Sequence, residues 1–423
     1  MSDKVIFTID VDAFFASCEE ARHPEFRGMP IIIGNVHLKN KGIVGACNYP
    51  ARKHGVHSGM PIYKAKRLCA KATIINSDYE YYVEKSEEIF QIIASFSKQL
   101  EVASIDECYL DVTTILKGSD PIDLAWEIQQ KIQKETGLTV SIGISDNKLL
   151  SKIASKFDKP HGISTLYTFE IEQKLWPLPI FKMQYIGKAT TNYLQSKGIN
   201  YIVDLINLVD DYDKYQEIKK ALGIRLDEYI SSARGKTISD VNRENHFLKS
   251  ISFGKTFTFD LVSSSEVVDE LFKITKKIVA RLEYRALTCR TIALETKDKG
   301  ALNPSSKIQL SLEHGTNSIE DIWSVVMKLY DTWYTNQLVR FIAISVNNLE
   351  DALFKYTQMT LDDLTKSEVE KKINSREELL ILDLNQIVGY EAFSTLDQFQ
   401  KLKRFNDKSL NSNDRVKFKR WEK

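Results

Sequence analysis

The sequence predicts an α+β protein with several domains. Its 423 residues are too many for one ordinary hydrophobic core. Apolar segments of strand and helix character follow the order β-α-β-β-α-β between residues 5 and 157, and the same order returns between residues 247 and 349. A stretch of helical character from residue 169 to residue 235 separates the two. We therefore expect two mixed αβ units with a helical domain between them.

The first unit begins with the apolar strand KVIFTID, which ends at Asp10. Two short strands, GMPIIIGN and KGIVGACNY, follow, and then a basic stretch of short helices from Tyr49 to Cys69. Helical spacing from Tyr81 to Leu100 leads to the strand-like run VASIDECYLDV. A helix from Pro121 to Thr136, the strand LTVSIGIS and the helix NKLLSKIASKF complete the unit. This order indicates a ferredoxin-like sheet with an insertion.

The remaining chain divides into a helical part, a linker, a second unit and a tail. The segment from Phe169 to Gly235 is helical in pattern, and the polar stretch GKTISDVNREN after it is a candidate linker. The second unit consists of the strand SISFGKTFTF, the helix SEVVDELFKITKKIVARLEYRA, the strands CRTIALETK and SKIQLSLEHG, the helix IEDIWSVVMKLYDTW and the strand VRFIAISVNNL. The tail ends in a basic stretch, because Lys401 to Lys423 contains nine Lys/Arg against three Asp/Glu.

The composition narrows the possible classes of protein. Hydrophobic residues make up 43% and charged residues 27% of the chain, which is typical of soluble globular proteins. The five cysteines are scattered without a C-x-x-C pair, so we expect neither a disulfide framework nor a zinc knuckle. There is no signal-peptide pattern, and no apolar window approaches the roughly 20 residues of a membrane span. The sequence therefore predicts a cytoplasmic protein without a membrane partner. A net charge of +1 means that any nucleic-acid binding has to rest on local patches.

Two adjacent carboxylates interrupt the apolar run VASIDECYLDV. Because side chains alternate along a strand, either Asp106 or Glu107 would point into the core, where an unpaired carboxylate is unfavourable. Asp10 ends a strand that would lie beside them. Three acids at one sheet edge repel each other unless hard cations neutralise them, and two Mg²⁺ ions can hold such a site for phosphoryl displacement. Solvated turn carboxylates are the alternative, and the residues alone leave both interpretations open.

Basic and aromatic residues nearby allow a phosphate-binding interpretation. Tyr49 and Arg52 are spaced to present a hydroxyl and a guanidinium from one helical turn, and Lys159 could add a further positive charge. A solvated basic face is the alternative for these residues. Phe14 and Phe15 follow Asp10 closely, and their spacing alone favours an ordinary place in the core.

Five stretches together resemble the Y-family DNA polymerases of the DinB type. They are IDVDAFFASCEE, CNYPARKHGVHSGMPIYKAKRLC, ASIDECYLDVT, VSIGISDNKLLSKIASKFDKPHGI and KGINYIVDL, which occur in the family's order and spacing. The resemblance is strong over residues 5 to 235, and the region from Arg243 to Leu349 matches in length and pattern. It implies a palm with an inserted fingers domain, a helical thumb and a little finger. The implied bounds are palm 1–12 and 78–166, fingers 13–77, thumb with helix-hairpin-helix 167–234, linker 235–245, little finger 246–350 and tail 351–423.

The activity implied by this resemblance is low-fidelity, template-directed DNA synthesis in translesion synthesis and DNA repair. Such an enzyme adds dNTPs to a primer 3′ end on primer-template DNA. No remaining segment is large enough for a proofreading exonuclease, and we expect a monomer. Two alternatives from other classes are an inert DNA-binding relative and another palm-type enzyme such as a nucleotide cyclase. The three acids argue against the first, and the thumb and little finger argue against the second.

The resemblance also implies roles for particular residues. Asp10, Asp106 and Glu107 match the catalytic metal-binding acids, with the Val11 carbonyl as an extra ligand for two Mg²⁺ ions that Mn²⁺ can replace. The expected nucleotide-binding residues are Phe14, Phe15, Tyr49, Arg52 and Lys159. Phe15 matches the steric gate against a ribose 2′-hydroxyl, which replaces its interpretation as core. Gly45 and Ala46 would form a roomy roof over the nascent base pair.

Three departures from the family pattern bear on these expectations. Cys108 stands where alanine is usual and is small enough to fit. In the thumb hairpin the sequence is Gln184-Tyr185-Ile186-Gly187 instead of Pro-Gly-x-Gly, which leaves the strength of the expected DNA contact through Gly187 and Lys188 open. A candidate sliding-clamp peptide lies in QMTLDD, at Gln358, Met359, Thr360 and Leu361. Here Asp362 replaces the apolar anchor, so clamp binding also stays open.

Overall fold

The computed structural model describes residues 4–35, 42–236, 241, 248–298, 306–334 and 338–352. The chain divides into two compact units, Met1–Glu244 and Asn245–Lys423. The described residues form a five-stranded, a four-stranded and a three-stranded sheet together with helices, which confirms the predicted α+β class. Among these residues, no helix combines the length and the apolar character that crossing a bilayer requires.

The elements of the first unit follow the predicted order. Its strands are β1 (Ile6–Val11), β2 (Ile31–Gly34), β3 (Val44–Cys47), β4 (Thr73–Ile75), β5 (Leu100–Val102), β6 (Glu107–Asp111), β7 (Val140–Ser145) and β8 (Ile163–Thr165). Its helices are α1 (Phe14–Arg22), α2 (Tyr49–Lys53), α3 (Ile62–Leu68), α4 (Tyr79–Ala94), α5 (Thr113–Leu116), α6 (Pro121–Thr136), α7 (Lys148–Ala154), α8 (Ile171–Lys174), α9 (Lys188–Ser196), α10 (Ile202–Asn207), α11 (Tyr212–Leu222) and α12 (Arg225–Ala233). Single 3-10 turns lie at Pro24–Phe26, Thr168–Glu170, Ile180–Lys182 and Leu208–Asp210.

The five-stranded sheet carries the candidate site. Its strands lie in the order β5-β6-β1-β7-β8, and β1 pairs antiparallel with both β6 and β7. As the middle strand, β1 is buried along nearly its whole length, which explains its run of β-branched and aromatic residues. Cys108 on β6 is opposite Ile9 and is fully buried, so the small thiol fits the core.

Two helices beside this sheet begin at residues that favour a helix start. The side chain of Asp120 accepts a hydrogen bond from the Ile122 backbone N–H and caps α6, which ends at Gly137 with φ 74°. Asn147 caps α7 in the same way, by accepting from the Leu150 N–H. Because α7 packs against β1 and β7, its lysines lie near the acidic strand ends.

The insertion after β1 forms the three-stranded sheet. β2 pairs antiparallel with β3 and parallel with β4. The side chains of β2 alternate between two cores: Ile31 and Ile33 belong to the core of the five-stranded sheet, and Ile32 belongs to a second cluster with Val44. This alternation ties the inserted sheet, on which β3 lies, to the sheet that carries the acids.

The helices α8 to α12 form the predicted helical stretch. They pack around a hydrophobic cluster that includes Leu194, Ile202 and Leu226 and to which α7 contributes Leu150 and Ile153. α11 begins where the Asp211 side chain accepts a hydrogen bond from the Lys214 N–H, and it ends at Gly223 with φ 61°.

The second unit contains the second β-α-β-β-α-β arrangement, as predicted. Its elements are β9 (Ser250–Leu261), α13 (Ser264–Tyr284), β10 (Leu287–Asp298), β11 (Ser306–Thr316), α14 (Ile319–Trp333) and β12 (Val339–Asp351). The strands are antiparallel in the order β11-β10-β12-β9. Ser263 and Glu266 form a reciprocal capping box at the start of α13.

The predicted domain bounds stay predictions. The described residues form hydrophobic clusters around the five-stranded sheet, around the three-stranded sheet, around α7 to α12 and within the second unit, and β2 contributes to the first two. The linker expected at 235–245 is described only at residues 235, 236 and 241. Residues 353–423, and with them the candidate clamp peptide from Gln358 to Leu361, lie outside the described residues.

Candidate active site

The three predicted carboxylates come together where β1 ends and β6 begins. Asp10 and Glu107 are opposite each other in the strand pairing, and the Val11 N–H donates to the Asp106 carbonyl at 2.9 Å. Because β6 begins at Glu107, Asp106 lies in the turn and is free of strand alternation. Both adjacent acids are partly exposed. Neither therefore suffers the desolvation penalty of a carboxylate buried in the core.

Two lysines and a serine are among the partners of these carboxylates. Lys159 Nζ contacts a carboxylate oxygen of Asp10, and Lys152 Nζ lies 2.7 Å from Glu107 Oε1. Burial raises the pKa of Asp10, and the positive charge of Lys159 opposes this rise. Ser104 Oγ donates a hydrogen bond to Asp106 Oδ1 at 2.6 Å. The lysines therefore compensate part of the negative charge that three neighbouring acids create.

The donor set fits a divalent cation that also binds substrate. No group of three or more His, Cys, Asp or Glu side chains forms a ready metal cage within the described part of the chain. Mg²⁺ does not require one, since it keeps several waters and takes one or two carboxylates together with substrate phosphates. Carboxylate oxygens are the hard ligands that it prefers. A cation bound here competes with Lys159 for Asp10 and with Lys152 for Glu107.

A cavity of about 200 Å³ opens beside two of the carboxylates. It is lined by Asp10, Val11, Ala13, Phe14, Phe15, Gly45, Ala46, Arg52, Ser58, Asp106 and Lys159. Most of the predicted nucleotide-binding residues and both residues of the predicted roof are among them. Glu107 and Tyr49 lie outside this lining. Ser58, which the sequence analysis did not single out, contributes a hydroxyl from the loop after α2.

The ring of Phe15 is fixed at one wall of the cavity. It stacks on the Tyr82 ring at 4.5 Å between centroids with 16° between the planes, and it contacts Tyr79 edge-on at 6.3 Å. Phe14 beside it is almost fully buried and belongs to the core as well as to the cavity wall. Phe15 is only partly buried, so its spacing alone did not distinguish a core ring from a cavity ring.

Tyr49 and Arg52 take different positions although both lie on α2. The Arg52 guanidinium carbon lies 4.9 Å from the centroid of the Tyr49 ring, and Arg52 Nε donates to the Cys47 carbonyl at 3.1 Å. Arg52 lines the cavity. The Tyr49 hydroxyl instead donates to Asp12 Oδ1 at 3.3 Å. The predicted pairing on one helical turn therefore exists, but only Arg52 faces the cavity in this structure.

Asp12 is a residue of the site that the sequence analysis missed. It is 1% exposed. Besides the Tyr49 hydroxyl, its carboxylate accepts hydrogen bonds from Ser141 Oγ at 2.7 Å and from the His161 N–H at 2.8 Å. These contacts tie the end of β1 to α2 and to the segment that follows Lys159. The signal was the DVD pattern, which places a second aspartate directly after the last residue of β1.

The predicted DNA-binding hairpin of the helical part has an accessible helix start. Gly187 is the N-cap of α9, no side chain caps it, and a Cβ added there would meet no heavy atom within 4 Å. Lys188 is exposed at the first position of the helix. Tyr185, two residues earlier, has φ 68° and is 70% exposed.

Comparisons with known proteins show the family to which the chain belongs. A profile of the impB/mucB/samB family matches residues 9–156, and a profile of the C-terminal domain of that family matches residues 248–361. DNA polymerase IV of Listeria monocytogenes is 36% identical over 356 residues, which are 84% of this chain and 98% of the relative. A Y-family DNA polymerase chimera of Dbh and Dpo4 has a TM-score of 0.71 at 26% identity, covering 81% of this chain and 98% of the chimera. The chain belongs to the Y family of DNA polymerases.

Other members of the Y family are similarly related. DNA polymerase IV of Ureaplasma parvum is 32% identical over 351 residues, 82% of this chain and 94% of the relative. The structure of DinB from Sulfolobus solfataricus has a TM-score of 0.56 at 25% identity and covers 81% of this chain and 98% of that protein. The protein is thus a DNA-directed DNA polymerase of the translesion type, and Y-family polymerases use divalent metal ions.

Proposed function

We propose that this polymerase extends a primer 3′ end at the junction of β1 and β6, with low fidelity and without proofreading. One observation carries the proposal: Asp10 and Asp106 line the same cavity as Phe15, Arg52 and Lys159. A nucleotide in that cavity would have its reacting phosphate near the acids, its triphosphate near the cations and its sugar near the ring. The cavity thus offers a suitable group for the reacting phosphate, for the triphosphate and for the sugar of a dNTP.

The acids and cations have separate roles in the reaction. Two divalent ions, Mg²⁺ or in its place Mn²⁺, held by Asp10, Asp106, Glu107 and the Val11 carbonyl would lower the pKa of the primer hydroxyl and stabilise the leaving pyrophosphate. Arg52 and Lys159 bind the triphosphate and stabilise negative charge on it. Lys159 has to leave Asp10 to do so, which couples nucleotide binding to the release of this carboxylate.

Phe14, Phe15 and the inserted sheet select the nucleotide. The ring of Phe15 is supported by Tyr82, so it cannot easily yield to a ribose 2′-hydroxyl. Gly45 and Ala46 present little side-chain volume to the cavity, which leaves room for a distorted or damaged base pair. Tyr49 acts through Asp12, or reaches the triphosphate after its hydroxyl leaves that carboxylate.

The rest of the chain binds DNA in this proposal. The Y-family structure of Dbh named an insertion ternary complex has a TM-score of 0.58 to this chain at 26% identity, with 81% of this chain and 98% of that one covered. By analogy, primer-template DNA and a dNTP are the partners of this monomer. Gly187 and Lys188 bind a DNA phosphate at the start of α9.

We assign the four domains of the family to this chain as part of the proposal. The palm is 1–12 with 78–166, the fingers 13–77, the thumb 167–234 and the little finger 246–350. A sliding clamp is a further proposed partner, through Gln358, Met359, Thr360 and Leu361. Replacing Gln358 and Leu361 by alanine should remove the effect of added clamp on product length and leave clamp-free extension unchanged. An undiminished clamp effect would refute this segment as the contact.

Primer extension tests the proposed function. With Mg²⁺, dNTPs and primer-template DNA, the protein should add nucleotides directed by the template. Asp106→Ala should lower the incorporation rate roughly 10³-fold, because a lost metal ligand costs several kcal/mol in the transition state. Asp123→Ala, which removes an exposed carboxylate on α6, is the matched control and should leave the rate unchanged. Undiminished incorporation by Asp106→Ala would refute the proposed site.

A further inference from the structure

Ser86 places a hydroxyl on the buried face of α4, among the apolar side chains of that helix. It is 4% exposed and lies one turn after the buried Tyr82 and one turn before Phe90. A serine inside a helix usually points to solvent or bonds the carbonyl four residues earlier. The hydroxyl of Ser86 instead donates to the Ile105 carbonyl at 2.5 Å, 19 residues further along the chain. This hydrogen bond joins α4 to the turn between β5 and β6.

The turn that Ser86 contacts carries the catalytic Asp106. It lies between the end of β5 and the start of β6, so the regular strand pairing does not include it. The Ala103 N–H and the Ser104 N–H both donate to the Glu107 carbonyl, at 2.9 and 3.1 Å. The direction of the Asp106 side chain therefore depends on hydrogen bonds within and around the turn.

Hydrogen bonds hold both peptide units that flank Asp106. In the unit before it, the Ile105 carbonyl accepts from Ser86 Oγ. The N–H of the same unit lies 3.4 Å from Ser104 Oγ. In the unit after it, the carbonyl accepts from the Val11 N–H at 2.9 Å. Because the two flanking peptide planes fix the direction of a Cα–Cβ bond, these contacts direct the Asp106 carboxylate to the cavity that it lines.

The contact from Ser86 is the stronger of the two on the first peptide unit. A distance of 2.5 Å is short for an O–H···O hydrogen bond, and 3.4 Å is long for an N–H···O hydrogen bond. Without the Ser86 hydroxyl, this unit keeps only the long contact and is free to rotate. Such a rotation moves the Asp106 carboxylate relative to Asp10, which lines the same cavity.

The same face of α4 also supports the ring of Phe15. Tyr82, one helical turn before Ser86, stacks on that ring at 4.5 Å between centroids. The helix therefore contacts two parts of the cavity wall, the Phe15 ring through Tyr82 and the Asp106 turn through Ser86. A substitution that removes only the Ser86 hydroxyl leaves Tyr82 in place, so the two contributions can be measured separately.

We propose that Ser86 is a positioning residue of the polymerase, which directs Asp106 to the divalent cations through the Ile105 carbonyl. The inference deepens the proposed function and rests on it. Reaction rates depend strongly on the placement of the reacting groups, and a displacement of about 1 Å can cost about 100-fold. Loss of the Ser86 hydroxyl should therefore slow the chemical step, whereas the groups that bind the nucleotide keep their places.

Single-turnover incorporation of one dNTP with Mg²⁺ tests this role. Ser86→Ala should lower the maximal rate by about 10- to 100-fold. The dNTP concentration at half-maximal rate should stay the same, because Arg52 and Lys159 are unchanged. Ser86→Cys keeps the size of the side chain but supplies only a weak donor, so it should be as slow as Ser86→Ala.

Ser97→Ala is the matched control for these substitutions. Ser97 is 6% exposed, and its Oγ donates to the Asp111 carbonyl at 2.9 Å, at the other end of β6. The control therefore removes the same kind of buried hydrogen bond from the same strand, away from the acids. Its incorporation rate should equal that of the unchanged protein.

Two further readouts distinguish the placement of Asp106 from a general loss of structure. Electron paramagnetic resonance of Mn²⁺, with a chain-terminated primer-template and the next dNTP bound, should show weaker Mn²⁺ binding in Ser86→Ala and unchanged binding in Ser97→Ala. The preference for dNTPs over rNTPs should stay unchanged in Ser86→Ala, because Tyr82 still supports Phe15.

Several results would overturn the inference. They are a full incorporation rate in Ser86→Ala or Ser86→Cys, an equal loss of rate in Ser97→Ala, unchanged Mn²⁺ binding in Ser86→Ala, and a loss of the dNTP preference together with the rate. A failure of the unchanged protein to extend primer-template DNA would instead refute the proposed function. The two failures are therefore distinguishable.

Discussion

Lys159 has two partners in this account, the Asp10 carboxylate and the triphosphate. Burial raises the pKa of Asp10, and Lys159 opposes the rise, so a variant without this lysine should have an even higher Asp10 pKa. Asp10 has to be ionised to bind a cation. In Lys159→Met the acidic limb of the profile of kcat/KM against pH should therefore move to higher pH, besides a rise in KM for dNTP.

Steady-state kinetics between about pH 5 and pH 8 check this shift. Lys148→Met is the matched control, because Lys148 pairs with Glu101 at 2.6 Å and does not contact Asp10. An acidic limb at the same pH in Lys159→Met would contradict the assigned cause.

The Phe15 ring is expected to exclude ribonucleotides by direct contact. A forced clash in a packed site costs about 1–3 kcal/mol, which corresponds to roughly 5- to 150-fold in rate. Phe15→Ala should therefore lower the preference for dNTPs over rNTPs by a factor in that range, measured as a ratio of kcat/KM values. Tyr82→Phe keeps the supporting ring and should leave the preference unchanged. An unaltered ratio in Phe15→Ala would remove the gate assignment.

At the scale of elements, the end of β1 depends on the buried Asp12. In Asp12→Ala the His161 N–H and the Ser141 and Tyr49 hydroxyls lose the buried carboxylate that accepts their hydrogen bonds. The free energy of unfolding should fall by about 1–3 kcal/mol. KM for dNTP should rise, because Lys159 lies two residues before His161. Denaturant unfolding and kinetics check both effects.

Tyr49→Phe should have a smaller effect on stability than the substitution of Asp12. It removes one hydrogen bond to Asp12 and leaves the contacts of Ser141 and His161 in place. Equal stability and equal KM in Asp12→Ala and the unchanged protein would show that Asp12 does not position this segment.

In the proposed function, β3 determines how much room the cavity leaves for the base pair, because Gly45 and Ala46 line it. A Cβ added to Gly45 would meet only the Ile33 carbonyl, at 3.4 Å, so the strand accepts a larger residue. Gly45→Val should therefore fold normally but bypass a bulky template adduct about 10-fold less efficiently, relative to undamaged template. The bypass efficiency of Gly45→Ala should lie between those of Gly45→Val and the unchanged protein. An unchanged bypass ratio in Gly45→Val would show that β3 does not determine lesion tolerance.

Some elements were predictable from sequence and others were not, for a physical reason. Alternation and helical spacing are local, and they located β1, α6 and α7 closely. The contact between Lys152 and Glu107, and those of Asp12 with Ser141 and His161, join residues far apart in the chain. No local pattern reports such pairs. The family resemblance, and not spacing, predicted that Phe15 lies at the cavity.

At the scale of the whole molecule, the net charge of +1 limits how DNA is held. Binding has to rest on local groups of basic residues, with few phosphate contacts. The slope of log affinity against log salt should then have a magnitude of about 3 to 5. Anisotropy titrations at several salt concentrations measure it. A magnitude near 10, as for a strongly basic DNA-binding protein, would contradict this inference.

The central claim is that Asp10, Asp106 and Glu107 jointly hold the divalent cations of the reaction. Electron paramagnetic resonance of Mn²⁺, with the protein bound to a chain-terminated primer-template and the next dNTP, counts the bound ions directly. The account predicts about two per chain, and fewer in Asp10→Asn, Asp106→Asn and Glu107→Gln, with DNA affinity retained. A Mn²⁺ count that none of the three substitutions changes would contradict it.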